Sequence, residues 1–163
     1  MATYFAAPAV AEIADGLIEA HHTDLDGQPI LYVFRDPAAR RLGRVVLGSA
    51  RRITGLNAFL VALAAGEAAG NLVEAEERDY TFLLMEVAYD EWVQSTAAQR
   101  AALVDHELCH FGVDEDEDGE LVLKIRGHDL EEFNAVVERH GLWRDDVQRF
   151  AGSCSAAAAM CVA

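Results

Sequence analysis

Positive charge is scarce in this chain. Thirteen lysines and arginines stand against 28 aspartates and glutamates, a formal net charge of −15 with a sequence pI near 4.6. That balance argues against a general affinity for nucleic-acid backbones, which are held by cationic surfaces. Cysteine is also sparse: there are three, an odd number, which does not suggest a disulfide framework and leaves reduced thiols as the expectation. No apolar run is long enough to cross a bilayer, so no membrane association is expected. The segment Met1–Pro8 lacks a basic region and a long apolar core, and Glu12 follows closely, so no signal peptide is read and a cytoplasmic location is expected.

What remains, 52% hydrophobic and 25% charged over 163 residues, is the composition of one globular domain. The expected division is a leader over 1–8, a domain over 9–150, and a low-complexity, frayed tail over 151–163 (AGSCSAAAAMCVA). The arginines are clustered. Arg35, Arg40, Arg41, Arg44, Arg51 and Arg52 share a stretch with a single acid, Asp36, which reads as a solvated face or a local anion-binding surface.

The chemistry concentrates at Val104-Asp105-His106-Glu107-Leu108-Cys109-His110-Phe111. On a helix, residues four apart share a face, so His106 and His110 can address one metal ion with Glu107 beside it. Zinc hydrolases need that arrangement: imidazoles hold Zn²⁺, a coordination position stays open for water, and the glutamate takes the water's proton. Thr96-Ala97-Ala98-Gln99 is a capping box that starts this helix, Ala101, Leu103, Val104 and Leu108 give it an apolar face, and Gly112 is expected to end it after Phe111. Cys109 should point away from the metal as a small core residue, and Asp105 toward solvent.

Around the motif the pattern predicts a helix over Ala9–His22, a turn at 24–29, and a strand over Ile30–Arg35. The His21-His22 pair reads as favourable charge at a helix C-terminus. A second strand over Gly43–Ile53 has the arginines and glycine of an edge, which in a peptidase offers a place for substrate to add as a strand. A helix of uncertain ends is read over Leu56–Ala69, a central strand over Tyr80–Val87, and a short turn capped by Asp90. Asp114–Glu120 (DEDEDGE) begins like a calcium loop, but its twelfth position is Ile125 instead of glutamate, so a hairpin turning at Asp118-Gly119 into a strand over Leu121–Ile125 is preferred. Asp129 is then read as the cap of a helix over Leu130–His140 with Leu130, Phe133, Val136 and Val137 on one face.

A catalytic zinc needs a third protein ligand, and His128, Glu131 and Glu132 are the downstream candidates that periodicity leaves open. Gly127-His128-Asp129-Leu130-Glu131-Glu132-Phe133, following HELCH, resembles the G-H-G-x-x-F segment of SprT-like zinc metallopeptidases. The order YVFRD, GRVVLGSARR, LVDHELCHF, GHDLEEF and RHGLW, over roughly residues 9 to 144, more specifically resembles the phage metallopeptidase family. The resemblance implies His106, His110 and His128 as zinc ligands, Glu107 as general base, a protein or peptide substrate, and the host cytoplasm as the setting of a phage-encoded enzyme. Asp129 replaces the pattern's second glycine, one extra residue precedes the phenylalanine, and the acidic insert lengthens the gap, so Glu132 stands as the alternative third ligand.

The expectation is therefore an α+β, zincin-like single domain, a small mixed β-sheet with an HExxH active-site helix, acting as a zinc-dependent peptidase. The rival is a non-catalytic interaction protein with a structural zinc, using its acidic surface or the arginine patch.

Overall fold

The computed structural model describes residues 1–58, 81–131 and 133–160. They form two compact units, Met1–Arg126 and Gly127–Ala163.

The first unit is a mixed α+β structure built on a four-stranded sheet. Strand β1 (Thr3–Ala6) leads through Ala7 into helix α1 (Pro8–His21), where Pro8 sits in the first turn, a position that requires no amide hydrogen. Val10 and Ala14 are fully buried on one face of α1, and Ile13, Leu17 and Ile18 pack around them, as the apolar spacing requires. A short 3₁₀ turn (Thr23–Leu25) precedes β2 (Ile30–Asp36).

The stretch predicted as one strand is divided. Strands β3 (Ala39–Arg41) and β4 (Arg44–Val46) form a hairpin whose turn, Leu42-Gly43, has positive φ at both residues, and β5 (Gly48–Thr54) follows. The chain reverses at Gly43 instead of beginning a strand there, because a two-residue turn of this hand matches strand twist. Strand β6 (Thr81–Ala88) is the central strand: it runs parallel to β2 and antiparallel to β5, giving the order β1-β2-β6-β5 with β5 at an edge. Its near-continuous apolar run is buried on both faces. The helix read over Leu56–Ala69 lies largely outside the described residues, as does Tyr80.

Leu83, Met85 and Val87 of β6 meet α1 and helix α3 (Ala97–Cys109) in the main core with Leu25, Phe34, Val104, Leu108 and Phe111. Between β6 and α3 lies one helical turn, α2 (Tyr89–Trp92). Asp90 is inside it, not at its cap; its carboxylate accepts the backbone N–H groups of Ala38 and Glu91, and so pins the β2–β3 connection. On the opposite face of β6, Glu86 is 6% exposed and faces Arg51 at 3.2 Å and Arg35 at 3.7 Å. Arg52 donates to the Leu123 carbonyl at 2.8 Å. Arg35 and Arg51 thus brace the sheet through Glu86, Arg52 links it to the strand Leu121–Ile125, and Arg40, Arg41 and Arg44 stay on the exposed hairpin.

After α3 comes the hairpin of β7 (Phe111–Glu115) and β8 (Leu121–Ile125), with Gly119 at positive φ in its turn, as predicted. The Asp116 carboxylate accepts the backbone N–H groups of Asp118 and Glu120, which ties the acidic loop to itself.

The second unit contains α4 (Asn134–His140) and α5 (Asp145–Met160). Asp129 does not cap a helix: α4 starts later, after Phe133, without a side-chain cap, and Phe133 is 78% exposed instead of lying on an apolar face. Gly141, at φ 68° and ψ −157°, ends α4 in an extended positive-φ conformation open essentially to glycine alone. Helix α5 continues through the alanine-rich segment read as a frayed tail, consistent with alanine's high helix propensity. No described helix is long and apolar enough to cross a membrane.

Candidate active site

Helix α3 begins with the capping box. Thr96 Oγ1 accepts the Gln99 N–H at 3.3 Å, and Gln99 Oε1 accepts the Thr96 N–H at 2.9 Å. Arg100 donates to the carbonyls of Trp92 and Val93 and lies over the Trp92 ring, fixing the start of α3 against α2. Val104 and Leu108, both fully buried, then set the rotation of the helix, which places His106 and His110 on a neighbouring face. Their rings are 5.1 Å apart, centroid to centroid.

The helix ends sooner than predicted. Its last residue is Cys109, His110 is the C-cap, and Phe111 and Gly112 belong to β7. Phe111, 1% exposed, is drawn into the core as a strand residue, so Gly112 stops nothing. Its lack of a side chain serves another purpose: a Cβ there would lie 2.4 Å from Arg126 Nε.

His110 is held by that same neighbour. Its Nδ1 is 2.8 Å from the Arg126 carbonyl, and the Arg126 N–H donates to the His110 carbonyl at 2.7 Å. A carbonyl only accepts, so Nδ1 carries a hydrogen, and Nε2 is the nitrogen that offers a lone pair in the neutral ring. A ring so oriented is prepared to bind a cation through Nε2.

Glu107 is buried, 4% exposed, and its Oε2 makes no hydrogen bond among the described residues. Burial pushes its carboxyl up to about 7, against the opposing pull of nearby His110. Its carboxylate rests on the first residue of β5: a Cβ at Gly48 would lie 2.4 Å from Glu107 Oε1. Sequence reasoning noticed Gly48 only as an edge-strand feature; the signal for its role is that glycine inside a strand often marks a close approach. His106 and Glu107 form part of a cleft of about 500 Å³, with Val46, Leu47 and Gly48 on one wall and Glu91, Ser95, Gln99 and Leu103 on the other.

Two further expectations are corrected. Asp105 accepts from His22 Nε2 at 2.7 Å instead of facing solvent alone, so His22 does more than add charge at the end of α1. Cys109 is exposed and is not a core residue, because the helix face after Leu108 turns out of the packed interior. His128 and Glu131 are both exposed in the second unit, where His128 is the second residue; Glu132 lies outside the described residues.

An orphaned buried carboxylate beside two imidazoles, one with its tautomer fixed, is a donor set that fits a metal-assisted hydrolase. Residues 2–155 match the family described as Putative phage metallopeptidase. The chain belongs to this family. Membership in the phage metallopeptidase family implies a metal and a peptide substrate, in agreement with the resemblance carried by HELCH and GHDLEEF. No curated protein and no solved structure matches the chain.

Proposed function

We propose that this phage metallopeptidase is a zinc-dependent enzyme in which His106, His110 and His128 hold Zn²⁺ and Glu107 is the general base. The observation that carries the reading is Glu107: a buried carboxylate with an unpaired oxygen, poised near neutral pH, on the wall of a cleft it shares with His106. His128 is supported by chain connectivity. The backbone is bonded to His110 in both directions at Arg126, and His128 follows two residues on, within about 7 Å of extended chain. Glu132 is four residues further along the chain.

Zinc bound there would supply Lewis acidity toward the scissile carbonyl and acidify a water. The protein's own groups do the rest. Glu107, desolvated and fixed against Gly48, accepts the proton of the attacking water and delivers it to the leaving amine. His110 keeps its Nε2 directed by the bond from Nδ1 to Arg126. The wall at Val46–Gly48 leads into the edge strand β5, so a peptide adding alongside it would be positioned by backbone hydrogen bonds, independent of its side chains.

Glu107→Gln separates this reading from a structural-zinc interaction protein. The variant should keep its metal and its fold and lose peptide hydrolysis by at least about 10²-fold, the scale of a general base. Undiminished hydrolysis by the metal-loaded variant would remove Glu107 from the chemistry. Metal content of His128→Ala against Glu132→Ala tests the ligand set: full zinc in the first would exclude His128.

A further inference from the structure

Helix α3 carries a second line of metal-ligating side chains. Asp105 and Cys109 are four residues apart, as His106 and His110 are, and each precedes its histidine by one position. The two lines are therefore about 100° apart around the helix. His22, at the end of α1, is brought against this second line, with Nε2 2.7 Å from Asp105 Oδ1. One donor atom from each of His22, Asp105 and Cys109 lies within 4.8 Å of the other two. The proposed hydrolytic reaction uses none of the three.

We propose that His22, Asp105 and Cys109 form a second metal site, separate from the HExxH centre and selective for zinc or a similarly thiophilic divalent cation. The donor set decides the selectivity. An imidazole, a carboxylate and a thiolate suit zinc, whereas calcium and magnesium take shells of oxygen. Charge also balances: one thiolate and one carboxylate neutralise one divalent cation, with His22 as a neutral ligand.

The scaffold is prepared on both sides. The His22 backbone N–H is held by the Leu17 and Ile18 carbonyls, and α3 is fixed by its capping box and buried face. The His22 side chain is 13% exposed while that of Asp105 is 46% exposed and Cys109 is open to solvent, so a cation has a path in. Ligands on one tetrahedral zinc sit about 3.3 Å apart, so the 2.7 Å hydrogen bond opens by a fraction of an ångström as the cation takes the place of its proton. That proton and the thiol proton leave to solvent. The bound ion would then tie the end of α1 to the helix that carries the HExxH motif.

The site is tested with cobalt in a chain whose other thiols are removed by Cys154→Ser and Cys161→Ser. After metal removal and loading with Co²⁺, the expected result is a thiolate-to-cobalt charge-transfer band in the near ultraviolet. The band should vanish, with the loss of one cobalt per chain, in Cys109→Ser and in His22→Ala variants that keep the parent circular dichroism. A parent without the band, or a band that survives Cys109→Ser, overturns the proposal. Zinc-edge X-ray absorption of the zinc-loaded parent gives a reading that needs no change at the site: sulfur in the first shell supports it, and nitrogen and oxygen alone refute it. Because the HExxH centre has no sulfur ligand, His106→Ala combined with His110→Ala should abolish hydrolysis and leave the band, so the two readings fail independently.

Discussion

Replacing Gly48 by alanine tests whether the backbone of β5 sets the position of the general base. An added Cβ would lie 2.4 Å from Glu107 Oε1, 2.8 Å from Cδ and 2.9 Å from Cγ. Ordinary carbon–oxygen contact is near 3.4 Å, so the carboxylate must retreat by about 1 Å. It has little freedom to do so: Glu107 is 4% exposed and lies between the fully buried Val104 and Leu108 turns of α3. A displacement of that size at a reacting group is expected to cost about 10²-fold in kcat, or about 2.7 kcal/mol of transition-state stabilisation. Overpacking should also lower stability by about 1–3 kcal/mol, partly offset by the ~0.4–1 kcal/mol that alanine gains over glycine through the unfolded state. Metal content should not change, because neither histidine is displaced. The assay is kcat on a peptide substrate beside metal analysis and thermal unfolding. Gly112→Ala is the control, since its Cβ also meets an atom at 2.4 Å, but that atom belongs to the half-exposed Arg126 side chain, which can swing away. Gly48→Ala with unaltered kcat would refute the claim that this contact positions Glu107.

Thr96→Ala removes one half of the capping box of α3 and should cost about 1 kcal/mol, lowering Tm by roughly 2–4 °C for a chain of this size; an unchanged Tm would deny the cap any net role. The Lys124 ammonium, 2.5 Å from Asp114, holds that carboxyl below its ordinary value. Since the folded pKa is depressed, the interaction stabilises above the unfolded pKa and is lost as pH falls through the folded one. Carbon-detected NMR titration should therefore find Asp114 titrating low, and Lys124→Ala should return it to the usual carboxylate range; a titration unaffected by that change would dismiss the pair.

Local features were legible where local chemistry decides structure. The capping box, the strand from Leu121 to Ile125 and the hairpin turn at Gly119 depend on residues a few positions apart, and all three formed as read. The buried central strand announced itself by a continuous apolar run. Misreadings arose where distant residues compete with local signals. Phe111 leaves the helix because the core accepts it as a strand residue, and Asp129 has the right chemistry for a cap but no helix behind it. The contact between Gly48 and Glu107, and the bond between His22 and Asp105 across 83 residues, join segments whose approach no periodicity encodes. Three arginines looked like a patch in the sequence because their partners, Glu86 and the Leu123 carbonyl, are supplied by other strands.

The two hydrogen bonds between His110 and Arg126 close the β7–β8 hairpin at its base, with Phe111 opposite Ile125 as the next rung. The acidic tip at Asp116–Glu120 lies at the other end of the ladder and satisfies its own amides. The tip's own bonds and its distance along the ladder from His110 make it a port for grafting. A fluorophore, an affinity tag or a longer loop placed there should ride on the hairpin without turning the imidazole at its root.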